Sequence, residues 1–195
     1  MSTAEIFLTQ KEIESYLEEY KNDSNYIYGY KGAEFGISPY VSFYIDHSNS
    51  MMDIEGVLNH IIDIYVDFEK NYMNKPFNLR YRSDRGVWKK ADKWEKTKIE
   101  LIDLMHKSFK KYFVYFIGAT TADTNNQKAQ WAFQANIQEH DTRYSFVKIC
   151  FALEWYQKNI NNWHSFVQKV LKKLNPIQAY SGYEIGNTPS FNIVS

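Results

Sequence analysis

The stretch that decides the fold is residues 144–156, YSFVKICFALEWY. Its apolar side chains fall on every second residue, which predicts one buried face of a long β-strand. The next segment, 159–174, repeats apolar residues at helical spacing, and Asn175-Pro176 predicts its end. The segment PIQAYSGYEIG (176–186) then predicts a glycine-containing turn and a short terminal strand.

Two more strands are predicted just before this stretch. Residues 112–117 are apolar on both faces, which favours a central strand, and residues 129–138 alternate apolar and polar side chains. Short loops join all three strands, and this favours antiparallel neighbours. Further upstream, periodicity predicts helices over residues 10–21, 54–72 and 91–110, and strands over 26–30, 40–46 and 77–81. The sequence therefore predicts an α+β fold, an antiparallel sheet with helices packed mainly on one face.

Length and charge limit the possible classes. A chain of 195 residues is long enough for one domain, which we expect to span residues 1–195. Lys and Arg together number 23, and Asp and Glu together also number 23. The sequence shows no basic stripe, so we predict no nucleic-acid partner. No signal peptide or membrane-length apolar run occurs, and we expect no membrane partner and a cytoplasmic location. The single cysteine, Cys150, predicts a small buried residue and no disulfide framework.

Candidate chemistry is sparse. His60, Asp63 and Asp67 share one face of the second predicted helix at metal-ligand spacing. That face lies opposite the apolar stripe, so we interpret the three residues as solvated and predict no metal site. No G-x-S-x-G, P-loop, G-x-G-x-x-G or C-x-x-C motif is present, and we predict no catalytic residue and no cofactor.

The segment 80–94, RYRSDRGVWKKADKW, interleaves basic and aromatic residues, including Arg85 and Trp88. Three interpretations stay open. The segment connects a strand to a helix through a turn at Asp84-Arg85-Gly86, or it contacts a protein, where Trp and Arg dominate hot spots. The third interpretation is nucleic-acid binding through phosphate contacts and stacking.

A family resemblance adds a function. The order FYI (43–45), FNLRYR (77–82), YFVYFIG (112–118) and FALEW (151–155), with helices between, resembles type VI secretion immunity proteins paired with VRR-Nuc-type nuclease effectors. LNPIQAYSGYEIG (174–186) is similar to the "P-x-x-G-Y-A-G" stretch of that family. Family members are generally longer, which implies a short variant, a trimmed chain or the N-terminal part of a longer architecture.

The resemblance implies a protein that is not an enzyme and that inhibits a cognate effector toxin by covering its active site or DNA-binding groove. Such a groove is basic, so acidic surfaces are candidate contacts. They comprise Glu14, Glu18 and Glu19 on the first helix and Asp63, Asp67 and Glu69 on the second. Arg85 and Trp88 would instead suit acidic metal-binding carboxylates of the toxin. Two alternatives are a small-molecule enzyme with an aromatic pocket and His106 or His140, and a homodimeric structural module.

Overall fold

The structure is a computed structural model. It describes the following residues: 9, 11–16, 18–19, 36–46, 54–82, 87–90, 103, 107, 114–124, 127–138 and 144–186. The helices are α1 (residues 11–16, 18 and 19), α2 (Ile54–Asn71), α3 (Leu153–Lys158) and α4 (Ile160–Leu174). The strands are β1 (Gly36–Asp46), β2 (Leu79–Arg82), β3 (Val87–Lys90), β4 (Val114–Thr120), β5 (Ala132–Gln138), β6 (Tyr144–Cys150) and β7 (Gln178–Gly186).

The strands form one antiparallel sheet in the order β3-β2-β4-β5-β6-β1-β7. The predicted neighbours β4, β5 and β6 lie side by side, so the antiparallel prediction is confirmed. Strand β4 is an interior strand as predicted, although β5 occupies the middle of the sheet. The predicted α+β fold is confirmed.

The core lies between one face of this sheet and helices α2 and α4. Alternate residues of the strands, such as Phe43, Phe133 and Ile149, are fully buried there. Phe68 of α2 lies at the centre, with its ring centroid 5.5 Å from that of Phe166 on α4. Burying one such aromatic side chain contributes roughly 2–3 kcal/mol, which explains why these two helices dock on the sheet.

Helix ends follow their sequence signals. Thr9 and Glu12 form a capping box at the start of α1, with the Thr9 N–H donating to Glu12 Oε2 at 2.8 Å. At the end of α4, Asn175 adopts a left-handed conformation (φ 44°) and its N–H donates to the carbonyl of Leu171. The prediction that the helix stops at Asn175 is confirmed.

The prediction of one strand over residues 144–156 is wrong at its C-terminal end. Strand β6 ends at Cys150, and Leu153 and Trp155 lie in the short helix α3. The apolar alternation of the sequence continues past the end of β6 because Phe151 and Trp155 both pack into the core. Their rings stack there with centroids 5.8 Å apart. Six residues are too few to distinguish strand from helix periodicity.

Two other segments differ from prediction. Residues 178–186 form the predicted terminal strand, which is nine residues long and pairs with β1, but the predicted glycine-containing turn is wrong because Gly182 lies within that strand. Gly182 lies opposite Tyr40, and a Cβ there would meet the Tyr40 ring at 3.5 Å. Residues 87–90 form β3, which pairs with β2, so this part of 80–94 is a hairpin strand and not a connection to a helix. The predicted strand 26–30 and all but residues 103 and 107 of the predicted helix 91–110 lie outside the described residues.

Candidate functional site

Helix α1 presents the acidic surface predicted from the sequence. Its apolar residue Ile13 is buried, at 4% exposure, and fixes the helix against the body of the protein. The glutamates Glu14, Glu18 and Glu19 are all exposed. Tyr16 is 48% exposed on the same helix. Tyrosine is enriched in protein–protein hot spots.

Two carboxylates of this surface, those of Glu18 and Glu19, are not neutralised within the described part of the chain. Residues 9–19 contain four glutamates and one lysine. The hydroxyl and N–H of Thr9 lower the pKa of Glu12, so this carboxylate is ionised at neutral pH. No hydrogen bond or ion pair joins Glu18 or Glu19 to another described residue. We call the exposed side of α1 formed by Glu14, Tyr16, Glu18 and Glu19 the α1 surface.

A groove of about 560 Å³ lies beside α1. Ile13 forms one wall, the start of β1 another, and Trp155 and Lys158 of α3 lie opposite. Ionisable groups of both signs line it, so it has no single charge preference. A groove next to an exposed helix can accept side chains of a partner that docks on the helix.

The acidic residues of α2 are placed differently. Asp63 Oδ2 accepts a hydrogen bond from Lys173 Nζ at 2.7 Å, and Asp67 Oδ1 accepts one from Lys169 Nζ at 2.9 Å. Both lysines belong to α4, so these carboxylates join two helices of the fold. The hydrogen bond and charge of Asp67 outweigh partial burial and raise the pKa of Lys169.

His60 lies one turn before Asp63 on α2. Burial and the charge of Lys173 lower its pKa, and Asp63 opposes them only partly. Within the described residues no group of three or more His, Cys, Asp or Glu side chains could hold a metal ion. The geometry around His60, Asp63 and Asp67 is that of inter-helix ion pairs.

Trp88 lies on the face of the sheet opposite helices α2 and α4. Its ring centroid is 5.5 Å from that of Tyr81 on the neighbouring strand. Gly118 makes room for it, because a Cβ at that position would lie 2.9 Å from Trp88 Cη2. Trp88 is therefore partly engaged in the packing of the sheet. Arg85, together with His106 and His140, lies outside the described residues.

Sequence reasoning missed a polar cluster on that opposite face. Lys148 of β6 forms an ion pair with Glu184 of β7, across Tyr40 of the intervening strand. The ammonium lies 5.2 Å from the Tyr40 ring centroid, and the Cys150 thiol donates to Glu184 Oε1 at 2.9 Å. Burial alone would lower the pKa of Lys148. The interactions of its ammonium with Cys150 and Glu184 outweigh this effect, so the pKa of Lys148 is raised. A lysine amid the apolar alternation of β6 was the signal in the sequence.

Burial determines the state of Cys150. It raises the pKa of the thiol well above the ordinary value, and the nearby Glu184 carboxylate raises it further. The thiol is therefore neutral at physiological pH, and this agrees with the predicted role of a small buried residue.

Comparison with known proteins gives a likeness of fold. No protein-family model and no curated protein matches the chain. Among solved structures, the chain is similar to the Pseudomonas aeruginosa T6SS protein PA0821, with a TM-score of 0.63 at 10% sequence identity. The matched region covers 80% of this chain and 43% of that protein, so the chain spans less than half of its length. At this identity the likeness establishes a shared fold. No described helix is long and apolar enough to cross a membrane.

Proposed function

We propose that this chain is an immunity protein, which binds a cognate type VI secretion effector and neutralises it. The observation that carries the proposal is the fold that the chain shares with a T6SS protein. The resemblance of residues 174–186 to nuclease-immunity proteins supports the effector being a nuclease. The protein would act in the cytoplasm of the toxin-producing cell, by binding and not by catalysis.

The α1 surface is the proposed contact. A nuclease holds DNA in a basic groove, and an acidic surface complements such a groove and speeds encounter. Glu18 and Glu19 meet this need because they are exposed and have no partner among the described residues. Tyr16 lies one turn before Glu19 and would supply an aromatic contact at the margin of this surface.

The carboxylates of α2 fit this role less well. Lys169 and Lys173 already neutralise Asp67 and Asp63, and a partner would have to break those ion pairs to use the acids. Trp88 is engaged with Tyr81 and Gly118. Of the surfaces predicted from the sequence, α1 therefore offers the most unneutralised negative charge.

Charge-matched variants test this surface. Glu18→Gln/Glu19→Gln removes two negative charges from α1, and Asn161→Lys/Gln168→Lys adds two positive charges at exposed positions of α4. Both variants change the net charge equally. We expect the α1 variant to slow association with the effector by about tenfold at low salt, and its rate to depend less on ionic strength.

The measurement is the association rate constant at several salt concentrations, by surface plasmon resonance. Equal rates for both variants would rule out α1 as the electrostatic contact while leaving inhibition itself to be judged by a cleavage assay. Slower association of the α4 variant alone would contradict the proposed surface.

A further inference from the structure

Strand β7 is an exposed edge of the sheet. Among the described strands it is the last in the order, and it pairs there with β1 alone. Residues 177–181 are all exposed, with Ile177 at 48% and Tyr180 at 53%. An open edge presents backbone donors and acceptors that can pair with another strand.

The hydrogen-bond pattern identifies the backbone groups that point outward. The Phe151 N–H donates to the Pro39 carbonyl, so Pro39 and every second residue of β1 face β6. The residues between them, including Tyr44, face β7. Their partners on β7 are Gln178, Tyr180 and Gly182. By the same alternation, the N–H and C=O groups of Ala179 and Ser181 point away from the sheet.

The two edges of the sheet differ in how they are protected. Strand β3 has four residues and carries Lys89 and Lys90, which discourage pairing with another chain. Strand β7 has nine residues, and its exposed segment 177–181 contains no charged side chain, no proline and no glycine. Of the two edges in the described sheet, the exposed segment at β7 is the one that lacks these protective features.

We propose that a second copy of this chain pairs antiparallel with β7, so that two sheets join into one. The two-fold axis would pass beside Tyr180, pairing Ala179 of one protomer with Ser181 of its partner. This register uses the outward backbone groups of both residues in each copy. The pairing goes beyond effector binding and does not depend on it.

Charge favours a second copy as the occupant. A two-fold axis places each residue opposite the same surface of its partner, so a charged edge would repel itself. The exposed part of β7 is neutral, and the whole chain has a formal net charge of zero. Neither the edge nor the protein as a whole therefore opposes self-association.

The side chains also suit this register. Phe146, Tyr44 and Tyr180 form a row on the sheet face opposite helices α2 and α4, with centroid separations of 6.3 Å and 5.8 Å. The row ends at the edge. In the paired state the two copies of Tyr180 would face each other and continue it across the axis, as aromatic cross-strand pairs do. Because the pairing is short, we expect a dimer that dissociates on dilution.

Disulfide trapping tests the register. Cys150 is the only cysteine and is buried, so an introduced cysteine reports on its own position. Across the axis, residues 180 would form a non-hydrogen-bonded pair with Cα atoms about 4.5 Å apart, within disulfide reach. Tyr180→Cys should therefore crosslink rapidly under mild oxidation. The control Ser181→Cys is also exposed, but in this register it lies opposite residue 179, beyond disulfide reach, and should stay monomeric.

Sedimentation velocity of the full chain tests the association itself. We expect dimer to appear between micromolar and near-millimolar concentration. Ser181→Pro removes an outward N–H that β1 does not use, so it should abolish the dimer while leaving the circular dichroism spectrum unchanged. Ser181→Thr keeps that N–H and should dimerise as the natural chain does. A chain that is monomeric at every concentration, a dimer that survives Ser181→Pro, or equal crosslinking at positions 180 and 181 would each overturn the proposal.

Discussion

The ion pair between Lys148 and Glu184 holds strand β7 against the sheet, and breaking it should have a measurable cost. The two side chains are only 21% and 16% exposed, and the Cys150 thiol donates to the same carboxylate. Removing one partner costs about 0–1 kcal/mol for exposed pairs and about 3–5 kcal/mol for buried ones. We therefore expect Glu184→Ala to lower the free energy of unfolding by about 2 kcal/mol, between these limits.

A double-mutant cycle isolates the interaction. Lys148→Met should cost about as much as Glu184→Ala, because it leaves a mostly buried carboxylate without its cation. Lys148→Met/Glu184→Ala removes both charges, leaves neither partner unpaired and should cost only about 1 kcal/mol. The single costs together would then exceed the double cost by about 3 kcal/mol. Urea unfolding followed by tryptophan fluorescence gives all these values, and single-variant costs that simply add would refute the reasoning.

Three other predictions concern separate parts of the fold. Gly118→Ala should destabilise the protein by about 1–3 kcal/mol in urea unfolding, because its Cβ would press on Trp88, and a cost near zero would contradict that packing. Burial raises the pKa of Cys150 in the folded state, so stability is lost as pH rises above the unfolded thiol value of 9.0. Cys150→Ala should reduce that loss in thermal melts between neutral and alkaline pH, and an identical pH profile would contradict this. Asp67→Asn should cost less than about 1 kcal/mol, because Lys169 is 56% exposed, and should leave effector affinity unchanged in titration calorimetry.

Sequence periodicity predicted the sheet where each strand is long and half-buried. Residues 129–138 alternate cleanly because one face packs on α2 while the other faces away, and the structure has β5 there. Periodicity failed at residues 151–156. Phe151 and Trp155 pack in the core, and the helix that contains Trp155 is too short for its periodicity to be distinguished from that of a strand. At β7 the terminal strand was predicted, but the turn expected at Gly182 was wrong, because Gly182 pairs with Tyr40 within that strand.

The candidate site was predictable only in part. The glutamates of α1 could be placed on an exposed face because Ile13 and the capping box fix the helix phase. The pairing of Asp63 and Asp67 was not predictable, because their lysines lie about a hundred residues later in the chain and reach them only through the docking of α4 on α2. The Lys148–Glu184 pair likewise depends on β7 lying next to β1.

The most direct test of the immunity proposal is co-purification of this chain with the product of the adjacent gene, the candidate effector, followed by a DNA-cleavage titration. We expect a stable complex in which cleavage falls to zero as the chain reaches its binding stoichiometry. A purified effector that forms no complex with the chain and cleaves DNA at an unchanged rate in its presence would contradict the immunity proposal.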